Sequence, residues 1–147
     1  MDSQAIIYGS KQSLDNKEET ISITFKLCPD ETYYSNRRRI NNLINGAIAS
    51  SIELKDYKGF IQRDTHGQKY ILQSGTFELK LKENDTPKSF MFDTEIVSNE
   101  NKLDILEFCH NWVKEKKGNI IHNVVEIPYE EYTAYIILYN RKMCGTE

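Results

Sequence analysis

The sequence predicts an α+β fold: one domain over residues 1–147, with a mostly antiparallel sheet of about six to eight strands and two helices packed on one face. Three observations carry this expectation. Runs in which apolar residues alternate with polar ones outnumber runs with a helical period. Most of the strand-like runs are joined by short turn-forming pieces, as antiparallel neighbours require. The chain has 147 residues, a length that suits one hydrophobic core.

Taken in order, residues 5–10 (AIIYGS) form a short apolar run that reads as a strand, and residues 11–19 are polar and read as a loop. In residues 20–28, Ile21, Ile23, Phe25 and Leu27 alternate with Ser22, Thr24 and Lys26. That is the pattern of a half-buried strand, and Pro29 and Asp30 end it. From Ile40 the period changes. Ile40, Leu43, Ile44, Ala47, Ile48, Ser51 and Ile52 recur at three and four and predict one helical face, with Ser35 or Asn36 as its cap. Gly46 inside it weakens the helix and suits a close approach of another backbone.

Strand-like runs follow at 57–64, 68–73, 75–83 and 88–97, with "DTHG" (64–67) and "NDTP" (84–87) as hairpin turns. Residues 101–118 predict the clearest helix. Its apolar stripe is Ile105, Leu106, Cys109, Trp112 and Val113, with Ser98 or Asn99 as cap, lysines in the last turns and Gly118 beyond the end. Two strands, 119–127 and 132–142, close the chain around "PYEE" (128–131).

Composition bounds the function. Hydrophobic residues are 39% and charged residues 28%, which argues for a packed core over disorder. A net charge of -3 argues against a dedicated duplex nucleic-acid binder, which needs a basic surplus. Cys28, Cys109 and Cys144 are odd in number and lack ligand spacing; they point to free thiols in a reducing cytoplasm. No basic, apolar leader opens the sequence and no run of apolar residues is long enough for a membrane span. The acceptor triplet at Asn84 reads as a turn beside Pro87.

No phosphate-binding glycine loop and no metal-binding pattern is present, and His66, His110 and His122 are scattered. Cys109 with His122 is the one nucleophile and base pair to consider, and Glu78, Asp93, Glu95 and Asp104 are carboxylates with no specific pattern. The expectation is therefore of no enzyme, no cofactor and no metal.

Two surfaces attract a binding reading. In "TYYSNRRRINN" (32–42), Tyr33 and Tyr34 precede Arg37, Arg38 and Arg39. Arginine in a first helical turn opposes the helix dipole and invites a carboxylate or an external anion. Successive positions fan out by about 100°, so Arg37 and Arg39 flank the apolar stripe and Arg38 falls on the far side. Pairing with Asp30, Glu31, Glu130 or Glu131 is the plainer reading, and an anion or partner site the sharper one. In the last strand, Thr133, Tyr135, Ile137 and Tyr139 share one face. Bordered by Glu126, Glu130 and Glu131, that face suits a basic partner if exposed; the alternative is that Tyr135 and Tyr139 lie under a helix. The sequence thus points to a non-enzymatic protein-binding module, with an inhibitor or immunity-type protein that blocks a toxin or nuclease as its concrete form. The alternative is RNA or a small anionic ligand bound through residues 33–39.

Overall fold

The computed structural model describes residues 4–13, 18–28, 32–65 and 67–141. In chain order its elements are β1 (Gln4–Ser13), β2 (Glu18–Lys26), α1 (Tyr33–Ile44), β3 (Ile48–Ala49), β4 (Ser51–Asp64), β5 (Gly67–Lys82), β6 (Lys88–Ser89) and β7 (Met91–Ser98). A single 3-10 turn (Asn99–Asn101), α2 (Ile105–Glu115), β8 (Asn119–Pro128) and β9 (Tyr132–Arg141) complete it. Every described strand pairing is antiparallel, and the class is α+β as the alternating runs predict. The strands divide between sheets, however: a four-stranded sheet in the order β1-β2-β5-β4, a three-stranded sheet β7-β9-β8, and the ribbon β3-β6. No described helix is long and apolar enough to cross a membrane.

The two larger sheets enclose the main core. Ile23, Phe25 and Leu27, Ile52 and Leu54, and Tyr70, Leu72, Phe77 and Leu79 face inward from the first sheet. Phe90, Phe92, Ala134, Ile136 and Leu138 meet them from the second. β9 runs between β7 and β8, and it is buried on both faces, by the first sheet on one side and by α2 on the other. Its odd residues Tyr135, Ile137 and Tyr139 form a second core with Phe108 and Trp112 of α2. The result is sheet, sheet and helix in three layers, and a central strand that reads as a nearly unbroken apolar run.

Four elements differ from the expected ones. Of residues 11–19, expected as a loop, 11–13 belong to β1 and 18–19 to β2. The helical face expected to run on to Ile52 stops at Ile44, because Gly46 takes a φ of +86° that glycine adopts without strain. Ile48 and Ile52 continue the spacing as strand residues instead. A separation of four keeps residues on one face of a helix and of a strand alike, so the pattern alone does not separate the two. The runs expected at 68–73 and 75–83 are one strand, β5. In α2 the cap is Asp104, whose Oδ1 accepts from the Glu107 amide at 2.9 Å, whereas Ser98 caps the 3-10 turn. Phe108 takes the inward place and Leu106 is 79% exposed.

The helices do not share one face. α2 covers the outer side of the three-stranded sheet, while α1 lies against β5 and β7. The reason is a backbone problem. β2 pairs with β5 only as far as Ser74, with one further bond from the Leu27 amide to the Gln73 carbonyl at 2.8 Å. The rest of β5 is an edge on that side, and β7 is the edge of its own sheet. Buried edge groups need partners. α1 supplies them with two side-chain amides. Asn36 Nδ2 donates to the Leu72 carbonyl at 2.8 Å and its Oδ1 accepts from the Leu72 amide at 3.3 Å. Asn41 treats Phe92 in the same way, at 3.1 Å and 2.7 Å. Five residues along a helix is a rotation of about 140° between the two. The asparagines therefore sit on the two flanks of the Ile40 and Ile44 stripe, one toward each sheet. At the opposite seam, Asn123 Nδ2 of β8 donates to the Ile52 carbonyl of β4 at 3.3 Å.

Asn36 is 1% exposed, so removing its amide strands a buried N–H and C=O. Asn36→Ala is expected to lower the free energy of unfolding by about 2 kcal/mol or more, read from urea denaturation; a loss within error would show that the seam does not need this pairing.

Candidate functional site

The arginine triplet is placed by the seam. Thr32, not Ser35 or Asn36, caps α1, its Oγ1 accepting from the Ser35 amide at 3.2 Å. Tyr33 and Arg37, one turn apart, both reach Asp93 on β7. The Tyr33 hydroxyl donates to Asp93 Oδ1 at 2.9 Å, and Arg37 Nη1 lies 3.4 Å from Oδ2. The Thr94 amide also donates to Oδ1 at 2.8 Å. Asp93 is thus buried with three donors, which is how a carboxylate can be held in an interior. Burial, then the neighbouring Asp93 carboxylate, pushes the Tyr33 phenol well above its ordinary range. Arg37 and Lys69 lie over the Tyr33 ring at 5.9 Å and 5.1 Å from its centroid.

The three arginines diverge. Arg37 is engaged with Asp93, Arg38 is exposed on the outer face of α1, and Arg39 is partly buried. Tyr34 is 59% exposed and meets Tyr33 edge to face. The carboxylate that Arg37 finds is Asp93; of the partners expected from the sequence, Asp30 and Glu31 lie outside the described residues. A partner 60 positions from Tyr33 has no local signal in the sequence.

Beyond the first turn of α1, the edges of β5 and β7 border a small cleft of about 140 Å³. Gln68, Lys69 and Tyr70 line one side and Thr94, Glu95 and Ile96 the other, with Tyr33 at its end. Tyr70 sits tightly over Gly59, where an added Cβ would meet its hydroxyl at 2.2 Å. Burial, and after it the charge of Asp93, raises the Glu95 carboxyl above the usual carboxylate range, against the opposing pull of Lys116 and Lys69.

Tyr135 and Tyr139 are under α2. Tyr135 is 0% exposed and stacks on Phe108 with centroids 3.9 Å apart, and Tyr139 meets Trp112 at 5.0 Å. Of the two readings of the tyrosine face, a surface for a partner or a layer under a helix, the structure has the second: the face is core, because α2 covers β9. Glu126 is tied to Lys102 at 2.6 Å, with the Tyr135 hydroxyl 3.5 Å from its Oε2.

Glu130 and Glu131 are different. They occupy the turn between β8 and β9, exposed, and the structure brings Glu100 beside them. Asn99 pins this turn: its Nδ2 donates to the Tyr129 and Glu130 carbonyls, each at 3.0 Å, and its amide donates to the Glu131 carbonyl at 3.0 Å. The Thr133 hydroxyl donates to Asn99 Oδ1 at 2.6 Å. The three glutamates, with Ser98, Asn99 and Tyr132, surround a concavity of about 440 Å³. Sequence reasoning missed Glu100, Asn99 and Tyr132; Tyr132 follows Glu131 directly, whereas Asn99 and Glu100 join the site only through the β7 and β9 register that sets Ser98 against Tyr132.

The remaining chemical candidates do not converge. Cys109 lies in the α2 core, where burial pushes its thiol up, away from the reactive thiolate. His122 meets Asn140 and the edge of Phe90, on the other side of the sheet. Glu78 pairs with Lys55 at 2.9 Å and Asp104 is a helix cap. Among the described residues no three His, Cys, Asp or Glu side chains are grouped to hold a metal ion. Comparisons with protein-family models, with curated proteins and with solved structures return no match.

The raised Tyr33 phenol has a testable sign. A phenol that ionises later in the folded chain contributes stability in full below the ordinary tyrosine pKa of about 10, and loses it as the pH rises further. Ultraviolet titration is expected to show Tyr33 ionising after the exposed tyrosines, and Asp93→Asn to bring it earlier while costing about 2 kcal/mol of stability through the lost charge-assisted bonds.

Proposed function

We propose that the protein is a non-enzymatic binding module that presents the Glu100, Glu130 and Glu131 turn to a basic surface of a partner protein. The observation that carries this reading is the pinned turn: three exposed carboxylates around one concavity, on a backbone already held by Asn99. A preformed turn loses little freedom on binding, so more of the contact energy appears as affinity. Carboxylates of one sign steer a basic partner and mainly raise its association rate. Tyr132 beside them is a residue type enriched at interface centres. An inhibitor or immunity-type protein, which occludes a nuclease or toxin by charge and shape, is the concrete form. A reducing cytoplasm is the compartment that suits the free thiols of Cys28 and Cys109. The alternative of RNA or a small anion on residues 33–39 has less support, since Tyr33 and Arg37 are taken up by Asp93.

The test is kinetic. With a partner isolated by affinity capture from the source cells, the triple variant Glu100→Lys, Glu130→Lys and Glu131→Lys is expected to slow association by about tenfold or more at low salt. Wild-type association is expected to slow as salt rises, and the variant to lose that dependence. Unchanged rate and affinity in the variant would remove this surface from the interface. If the partner is an enzyme, equimolar protein is expected to abolish its activity; undiminished activity would leave binding without inhibition.

A further inference from the structure

The cleft between β5 and β7 carries two opposite charges that do not meet. Lys69 comes from the part of β5 that β2 leaves unpaired and Glu95 from the edge strand β7, and both line the same space of about 140 Å³. Among the described residues neither forms a close ion pair, although Lys116 and Lys69 both lie near enough to favour the Glu95 carboxylate; Lys69 itself lies over the Tyr33 ring at 5.1 Å. The contrast with Asp93 two residues away is informative. Asp93, on the same strand, has a phenol, a guanidinium and an amide as donors. Glu95 has none of these, and its carboxyl is raised by burial. The rest of the lining is Tyr33, Gln68, Tyr70, Thr94 and Ile96; the Tyr33 hydroxyl is already given to Asp93, so the two charges are what the cleft offers a ligand.

We propose that this cleft binds a small zwitterion of amino-acid size, with its ammonium on Glu95 and its carboxylate on Lys69. A ligand that carries both charges satisfies both side chains at once, which a simple cation or anion does not. The space limits the ligand to a few heavy atoms beyond the two charged groups. The site is separate from the glutamate turn and does not depend on the partner-binding reading.

Amide-resolved NMR titration of the full chain with glycine, alanine and serine tests this. The amides of Lys69, Tyr70, Thr94 and Glu95 are expected to shift in a saturable way, with a Kd on the order of 1 mM, as suits so small a ligand. N-acetylalanine lacks the ammonium and alaninamide lacks the carboxylate, and each is expected to bind about tenfold or more weakly. Glu95→Gln and Lys69→Gln are each expected to weaken alanine by a similar factor. The two blocked analogues test the same contacts on the wild-type protein, so the result does not rest on either variant folding. No shift at these amides up to about 50 mM ligand, far above the affinity such a ligand can reach, would overturn the proposal. So would alaninamide or N-acetylalanine binding as well as alanine, which would make the cleft a site for a single charge.

Discussion

Two side-chain amides stand where a strand would otherwise be needed. Leu72 on β5 and Phe92 on β7 are edge residues with both backbone groups turned away from their sheets, and Asn36 and Asn41 complete both of them. Water cannot serve a group as buried as this, so the helix must supply the pairing or the edges cannot be brought into the interior. Asparagine suits the role because its amide offers a donor and an acceptor with the spacing of a peptide group. Leucine at the same positions would fill the space and leave four backbone groups without partners.

The rest of the architecture follows from that closure. With α1 fixed across the seam, Ile40 and Ile44 seal the core between the sheets, and Tyr33 and Arg37 are brought to Asp93. The helix begins at Tyr33, so the edges of β5 and β7 beyond it remain lined by polar side chains, and the cleft of Lys69 and Glu95 is where the closure ends. Asparagine recurs at two other junctions: Asn123 between β8 and β4, and Asn99 beneath the β8 and β9 turn. The exposed glutamates of that turn are therefore carried on a backbone tied to the 3-10 turn after β7, which gives a surface feature the rigidity of the sheet that supports it.

Much of the fold was legible in the sequence. The alternation in β2 and in the second half of β5 marks strands with one buried side, and the stripe of α2 with its lysine-rich end marks a helix. The end of α1 was not legible, because Ile44, Ile48 and Ile52 are spaced by four, which serves helix and strand equally. The division into two sheets was not legible either, since it depends on which strands pair at long range. The same limit governs the site. The arginines and glutamates were visible as charged stretches, and the fanning of Arg37, Arg38 and Arg39 around α1 follows from helical geometry alone. Asp93 as the partner of Arg37, Glu100 as a neighbour of Glu130, and Lys69 opposite Glu95 are products of register between distant strands. Tyr135 and Tyr139 show the reverse case: alternation placed them on one face, but only the position of α2 decides whether that face is wet.

Native-state hydrogen exchange at the Leu72 and Phe92 amides tests the central claim most directly. Neither amide has a strand partner on its outward side, so free edges would exchange quickly through local opening. Closure by Asn36 and Asn41 predicts protection as high as that of amides in the middle of β9, lost at Leu72 in Asn36→Ala and at Phe92 in Asn41→Ala. Fast exchange of both amides in the wild-type protein would contradict the account, and would mean that α1 rests on the two sheets without closing them.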